Sequence, residues 1–186
     1  MNNNRQRMLA GQSYNPLDKV LVNERIQAHK LCRQISFSPD LSEPEQTALW
    51  QQLLPHKPNQ AFIEPPFFCD YGNNIRLGKR TFINANCTFL DCAEITIGDR
   101  AMLGPNVQLY TANHPLSAKT RATLEETAHG IDIGEDCWLG GGVIVLPGVR
   151  IGARSVIGAG SVVTKDIPED VMAAGNPCRV IKAIEA

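Results

Sequence analysis

Four histidines are the groups in this chain best suited to move a proton near neutral pH. The unperturbed pKa of the side chain is about 6.5. His29 and His56 fall in the N-terminal region and read as solvated surface residues. His129 ends a polar stretch and reads as a loop residue. His114 is placed differently. Asn113 and Pro115 flank it, and both residue types fix turns. It stands where a regular repeat gives way to a loop. By position alone, a general base and a structural corner histidine are equally good readings. Other chemistries lack their residues. Cysteines 32, 69, 87, 92, 137 and 178 have no metal-ligand spacing and read as reduced thiols packed as small hydrophobes. No Gly-x-Ser-x-Gly elbow supports a covalent serine route. No Walker or dinucleotide glycine motif supports nucleotide hydrolysis or hydride transfer.

The elements that must position His114 announce themselves by period. An aliphatic residue recurs every sixth position at Ile133, Leu139, Val145, Ile151, Ile157 and Val163. Glycine follows four of them, and a small or β-branched residue stands four places on, from Cys137 to Ile167. The same phase runs through Leu77, Ile83 and Phe89, breaks by two residues, and resumes at Ile97, Leu103 and Leu109. A period of six is neither helical nor simple strand alternation. It predicts a solenoid, in which each coil buries its apolar residue by stacking on the next. Three six-residue sides close a triangular coil, and Gly, Asn and Asp after the aliphatics are expected to supply positive φ at the corners. Five coils at about 4.8 Å spacing make a prism roughly 25 Å tall.

Residues 1–58 carry no repeat and are expected to form a helical cap over the open edge of the first coil. Leu17 to Ile35 has helical spacing of Ala28, Leu31, Cys32 and Ile35. A second helix is expected from Glu43 to Leu54, with Ser42 and Glu45 as a capping box, Pro55 as its stop, and Leu49, Trp50, Leu53 and Leu54 on its buried face. Residues 59–186 form the solenoid, whose first coil is expected near Phe67 to Arg76. A polar loop at 115–130 is expected to serve a pocket rather than stability. The balance of 18 basic and 19 acidic residues, net −1, gives no basis for a nucleic-acid or membrane partner. No run is long and apolar enough for a membrane span, and no signal peptide is evident, so a cytoplasmic location is expected.

Several stretches carry a family resemblance: Met8-Leu9-Ala10-Gly11, Cys69-Asp70-Tyr71-Gly72, Asn113-His114-Pro115, Trp138-Leu139-Gly140, Val163 to Pro168, and Ala174 to Arg179. With the tandem hexapeptides they closely resemble the hexapeptide-repeat acetyltransferases of the maltose and galactoside O-acetyltransferase group, over nearly the whole chain. The resemblance implies an all-β solenoid, a left-handed parallel β-helix with a small N-terminal helical cap. It implies transfer of acetyl from acetyl-CoA to a hydroxyl of a sugar of maltose, glucose or galactoside type, with no metal.

His114 matches the family's catalytic His-Pro step and is the implied general base. Asp70, Asn84 and Asp91 match acceptor contacts, with corner-turn chemistry as the competing reading of each. The family's N-terminal acidic contact falls on Pro16, with Asp18 nearby. Trp138, Gly141, Ala159, Thr164, Lys165, Arg179 and Lys182 match the coenzyme groove, and the three cations among them suit phosphates. The family assembles as a homotrimer with sites between subunits. The alternatives are the same fold acting on a non-sugar hydroxyl, a zinc carbonic anhydrase for which the repeats hold too few histidines, and a non-catalytic scaffold.

Overall fold

The computed structural model describes residues 3–38 and 40–185. Each aliphatic of the series from Ile133 to Val163 points inward, and none is more than 2 % exposed. The residues four places on are buried with them. The period of six is therefore one side of a coil.

Successive coils run β1 (Phe62–Ile63), β2 (Phe67–Cys69), β3 (Ile75–Leu77), then β4 (Phe82–Ile83), β5 (Cys87–Leu90), β6 (Ile95–Ile97). The third holds β7 (Met102–Leu103), β8 (Gln108–Tyr110), a ribbon of β9 (Ala112–Asn113) and β10 (Thr127–Ala128), and β11 (Ile131–Ile133). Then come β12 (Trp138–Leu139), β13 (Ile144–Val145), β14 (Arg150–Ile151), and β15 (Val156–Ile157) with β16 (Val162–Val163). β17 (Val171–Ala174) opens a sixth coil and turns back as β18 (Arg179–Ala183).

Three parallel sheets form the sides of the prism. The first is β1-β4-β7-β12-β15-β17, extended antiparallel by β18. The second is β2-β5-β8-β13-β16 and the third β3-β6-β11-β14, with Ile167 bridging to Ile151 as its next rung. The first coil thus begins at Phe62, earlier than expected.

The corners work differently from the expectation. Gly134 is not at positive φ. A Cβ placed on it would stand 2.5 Å from the backbone nitrogen of Ala153 in the next coil. Glycine follows the aliphatic because stacked backbones approach too closely for a side chain. Positive φ falls two residues later, at Arg100 (58°), Asp136 (56°) and Arg154 (60°) on the edge joining third and first sides. These residues pair along that edge: Arg100 donates to both Asp136 oxygens at 2.7 and 2.6 Å, and Arg154 to both Asp170 oxygens at 2.6 Å. The small inward residues also do more than save space. Ser155 donates to the Pro168 carbonyl at 2.7 Å and accepts from Val171 N at 3.2 Å.

The break in phase has one location. From Cys69 to Leu77 and from Phe89 to Ile97 the interval is eight residues, and from Leu109 to Ile133 it is twenty-four. All three enlargements lie on the edge joining second and third sides. The strands beyond them return to register, Leu77 opposite Ile97 and Ile97 opposite Ile133.

The cap contains α1 (Asn4–Leu9), α2 (Lys19–Phe37) and α3 (Glu43–Leu53). Ser42 and Glu45 form the expected capping box. Ala28, Cys32 and Ile35 of α2 and Trp50 and Leu53 of α3 join one core with Ile63, Phe67 and Cys69, closing the end of the prism. A second cluster unites Met8, Tyr14 and Leu21 with Tyr71, Cys92, Ala93 and Ala128, beside the enlarged edge. The stretch expected to be a free loop is thus partly structural: its base is the β9–β10 ribbon, and Ala128 is buried. Between them lies α4 (Ala118–Arg121). All six cysteines are buried, as the sequence implied, and none is bridged to another.

Gly134→Ala tests the close approach. Overpacking of this kind costs about 1–3 kcal/mol, so the thermal midpoint is expected to fall by several degrees. An unchanged midpoint contradicts the packing account.

Candidate active site

The enlarged edge carries Asp70 in the first coil, Asp91 in the second and His114 in the third. Hydrogen bonds between coils hold it in shape. Tyr71 N donates to Asp91 Oδ1 at 2.8 Å, and Asn74 Nδ2 to the Asp91 carbonyl at 2.7 Å. Ala93 N donates to Thr111 Oγ1 at 2.9 Å, and that hydroxyl donates to the Leu90 carbonyl at 2.6 Å. His129 N donates to the Thr111 carbonyl at 2.9 Å.

Asp91 is 0 % exposed. The expectation that it meets an acceptor is not met in this geometry, because the backbone of the neighbouring corner takes its Oδ1 and the protein encloses Oδ2 with no hydrogen-bond partner. Burial pushes its carboxyl up from 3.8 to about 7; the nearby charge of Asp70 adds to the rise and the Tyr71 N–H opposes it.

Asp70 stays partly accessible. Its Oδ1 lies 3.4 Å from His29 Nε2, and Cys92 Sγ lies 3.7 Å from its Oδ2. His29 is therefore not a solvated surface residue: its ring packs on Phe68, centroids 4.6 Å apart. Helical spacing in α2 does not reveal a partner from a coil edge. Asp18 serves as the N-cap of α2, accepting from Val20 N at 3.0 Å.

His114 follows β9 at the mouth of the ribbon. Its side chain is 56 % exposed, and Nε2 lies 3.6 Å from Glu126 Oε1. Pro16, Leu17, His114, Arg121, Leu124 and Glu126 line a cavity of about 250 Å³. Arg121 Nη1 donates to the carbonyls of Pro115 and Leu116 at 3.1 and 3.0 Å, fixing the chain that follows His114. The N-terminal segment supplies one wall. Tyr14 pairs with Glu126 as an antiparallel bridge and donates its hydroxyl to Glu126 Oε2 at 2.8 Å. Sequence reasoning missed Tyr14 and Glu126 as partners, since no spacing pattern relates residues 112 apart.

The remaining sequence-predicted residues lie elsewhere. Asn84, Gly141 and Ala159 stack on the edge joining first and second sides. Asn84 Oδ1 accepts from Ala85 N at 2.8 Å, so turn chemistry occupies that oxygen. Trp138 projects from the first side and is exposed. Thr164 and Lys165 stand on the His114 edge, exposed in the last complete coil, and Arg179 and Lys182 lie on exposed β18. The Gly141 edge suits a long narrow ligand, because Gly142 and Gly160 leave the backbone bare and a Cβ on Gly160 would meet nothing within 4 Å. Within one chain the whole second side separates the Gly141 edge from the His114 edge. Among the described residues no group of three or more His, Cys, Asp or Glu is arranged to hold a metal ion. No described helix is long and apolar enough to cross a membrane.

Comparison with known proteins agrees with this architecture. Residues 7–58 match the maltose acetyltransferase hexapeptide capping motif, and residues 130–165 match the bacterial transferase hexapeptide family of six repeats. The fold is that of the acetyltransferases built on a left-handed parallel β-helix. A maltose O-acetyltransferase from Clostridium difficile 630 is 45 % identical, with 100 % of this chain and 99 % of that one covered and a TM-score of 0.96. A galactoside acetyltransferase solved with coenzyme A is 36 % identical, covering 100 % and 92 %, TM-score 0.94. A hexapeptide-repeat acetyltransferase from Vibrio cholerae, solved with acetyl coenzyme A, is 38 % identical over all of both chains, TM-score 0.91. The chain belongs to the hexapeptide-repeat acetyltransferases, in the maltose and galactoside O-acetyltransferase group.

Asp91 generates a pH prediction. Its folded pKa exceeds its unfolded one, so the stability it contributes is complete below about pH 4 and is lost as pH rises through about 7. Asp91→Asn keeps an acceptor for Tyr71 N without the charge. Thermal midpoints from about pH 5 to pH 8 are expected to fall more in the wild type than in the variant. Parallel curves contradict this account.

Proposed function

We propose that the enzyme transfers acetyl from acetyl-CoA to a hydroxyl of a sugar by direct attack, with His114 as general base. The observation that carries the reading is the setting of His114: exposed at the mouth of a cavity, at the base of an anchored ribbon, with a carboxylate behind it. A neutral imidazole takes the proton of the acceptor hydroxyl as its oxygen bonds to the acetyl carbonyl carbon. The carbon–sulfur bond breaks, and the proton passes from His114 to the departing coenzyme A thiolate. Backbone N–H groups near the corner are suited to the oxyanion.

Asp70 is the acceptor-side carboxylate of this reading, since it shares the His114 edge and remains partly open. Trp138, Gly141, Ala159, Thr164, Lys165, Arg179 and Lys182 serve the coenzyme, the glycine and alanine by leaving room and the cations by meeting phosphates. Asn84 and most of these groups lie on other parts of the prism from His114. A threefold assembly that sets one subunit's Gly141 edge against its neighbour's His114 edge resolves that separation. We therefore propose a homotrimer whose sites form between subunits, in the cytoplasm, where six unbridged cysteines suit a reducing compartment. Pro16, Leu17 and Leu124 give the cavity apolar walls, which favours a second reading with a less polar hydroxyl acceptor.

His114→Ala is expected to lower turnover on the order of 100-fold or more with the fold kept; near wild-type coenzyme A release by that variant overturns the mechanism. Screening sugars against apolar alcohols by the same release assay separates the two acceptor readings. Sedimentation is expected to show a trimer, and a fully active monomer rules out the shared site. For Asp70→Ala, a raised acceptor KM with an unchanged acetyl-CoA KM is expected. A lowered midpoint with unchanged kinetics instead assigns Asp70 to the turn.

A further inference from the structure

We infer that Glu126 is a positioning residue for His114, and that Tyr14 of the N-terminal segment holds Glu126 in place. The inference rests on the reading of His114 as the base. The two oxygens of Glu126 face different partners. Oε2 accepts from Tyr14 Oη at 2.8 Å, while Oε1 faces His114 Nε2 at 3.6 Å. The backbone is tied at the same residue: Tyr14 N donates to the Glu126 carbonyl at 3.0 Å, and Glu126 N to the Tyr14 carbonyl at 3.1 Å. Next to it, Ser13 Oγ reaches Glu125 Oε2 at 2.5 Å. Tyr14 is 1 % exposed, and burial pushes its phenol far above the usual range, so it remains a proton donor.

The consequence is a contrast in freedom. The Glu126 side chain is 16 % exposed and held by the Tyr14 hydroxyl, on a backbone that two further bonds tie to Tyr14, whereas the His114 side chain is 56 % exposed. A long carboxylate side chain loses rotamer entropy when it pairs with another group. Here Tyr14 has already immobilised it, so its pairing with His114 loses little more. The 3.6 Å separation is that of an ion pair not yet closed, as catalytic contacts commonly are without substrate. Arg121, the cation lining the same cavity, donates to the carbonyls of Pro115 and Leu116. The carboxylate at Nε2 selects the tautomer with hydrogen on that nitrogen and leaves the lone pair of the opposite nitrogen for the acceptor hydroxyl. As the proton arrives, the same carboxylate balances the charge of the imidazolium. No proton needs to move to Glu126.

The decisive variant is Glu126→Gln, whose amide oxygen can still accept from Tyr14. The expected result is a fall in kcat of about 10-fold, smaller than the roughly 100-fold or more that the general base itself contributes, with both KM values and the thermal midpoint little changed. In the His114→Ala background the same change is expected to have no further effect, because residues acting as a unit are not additive. Ring ¹⁵N shifts of His114 are expected to show one tautomer in the wild type and a mixture in Glu126→Gln, a readout independent of turnover. Tyr14→Phe is expected to lower kcat in the same direction. Full kcat in Glu126→Gln, or losses that multiply in the double variant, or an unchanged tautomer, overturns the role of Glu126 and leaves His114 as base standing. Near wild-type turnover of His114→Ala overturns the base reading and this inference with it.

Discussion

Adjacent coils of this protein stand one backbone ladder apart, and no coil can move away from its neighbour without losing its hydrogen bonds. That spacing decides which residues are admitted at the corners. Where corner backbones stack, as at Gly134 over Ala153, no Cβ fits. Where the chain turns, Arg100 and Asp136 accept positive φ and use their side chains to tie one coil to the next. The inward aliphatics then have no choice of partner, since each meets the aliphatic of the coil above and below. Core, corners and surface ion pairs are three results of one distance.

Most of this was legible in the sequence because a solenoid repeats its instructions. The series Ile133 to Val163 states its burial six times, and Ser42 with Glu45 states a helix start by local chemistry alone. The reason for the glycines was less legible. A residue needed for close approach and one needed for positive φ look alike in a string. Long-range partners left no trace at all. The pairing of Tyr14 with Glu126, or His29 with Asp70, joins segments whose spacing obeys no period. His114 itself was singled out by its place at the end of a repeat, but its carboxylate neighbour was visible only in three dimensions. Asp91 shows the converse failure. A carboxylate on the right edge can be wholly buried in the corner it supports.

The N-terminal segment has two tasks that sequence inspection had merged into one. Its longer helices close the end of the prism through Ile35, Trp50 and Leu53. Its first residues do something else: Met8 and Tyr14 pack with Ala128 and Cys92 at the enlarged edge, binding the ribbon to the body. A stretch without repeats thus stabilises the one place where the repeat is interrupted.

That interruption has a property of its own. Eight residues from Cys69 to Leu77 and twenty-four from Leu109 to Ile133 deliver strands that pair in the same register. The edge is an open parenthesis in the chain's reading frame. Material can be written into it without altering the phase of anything downstream. The opposite holds at the Arg100–Asp136 edge, where one added residue would turn every later inward aliphatic toward water. The scaffold thus confines freedom of length to a single line along its surface, and that line is where His114 stands.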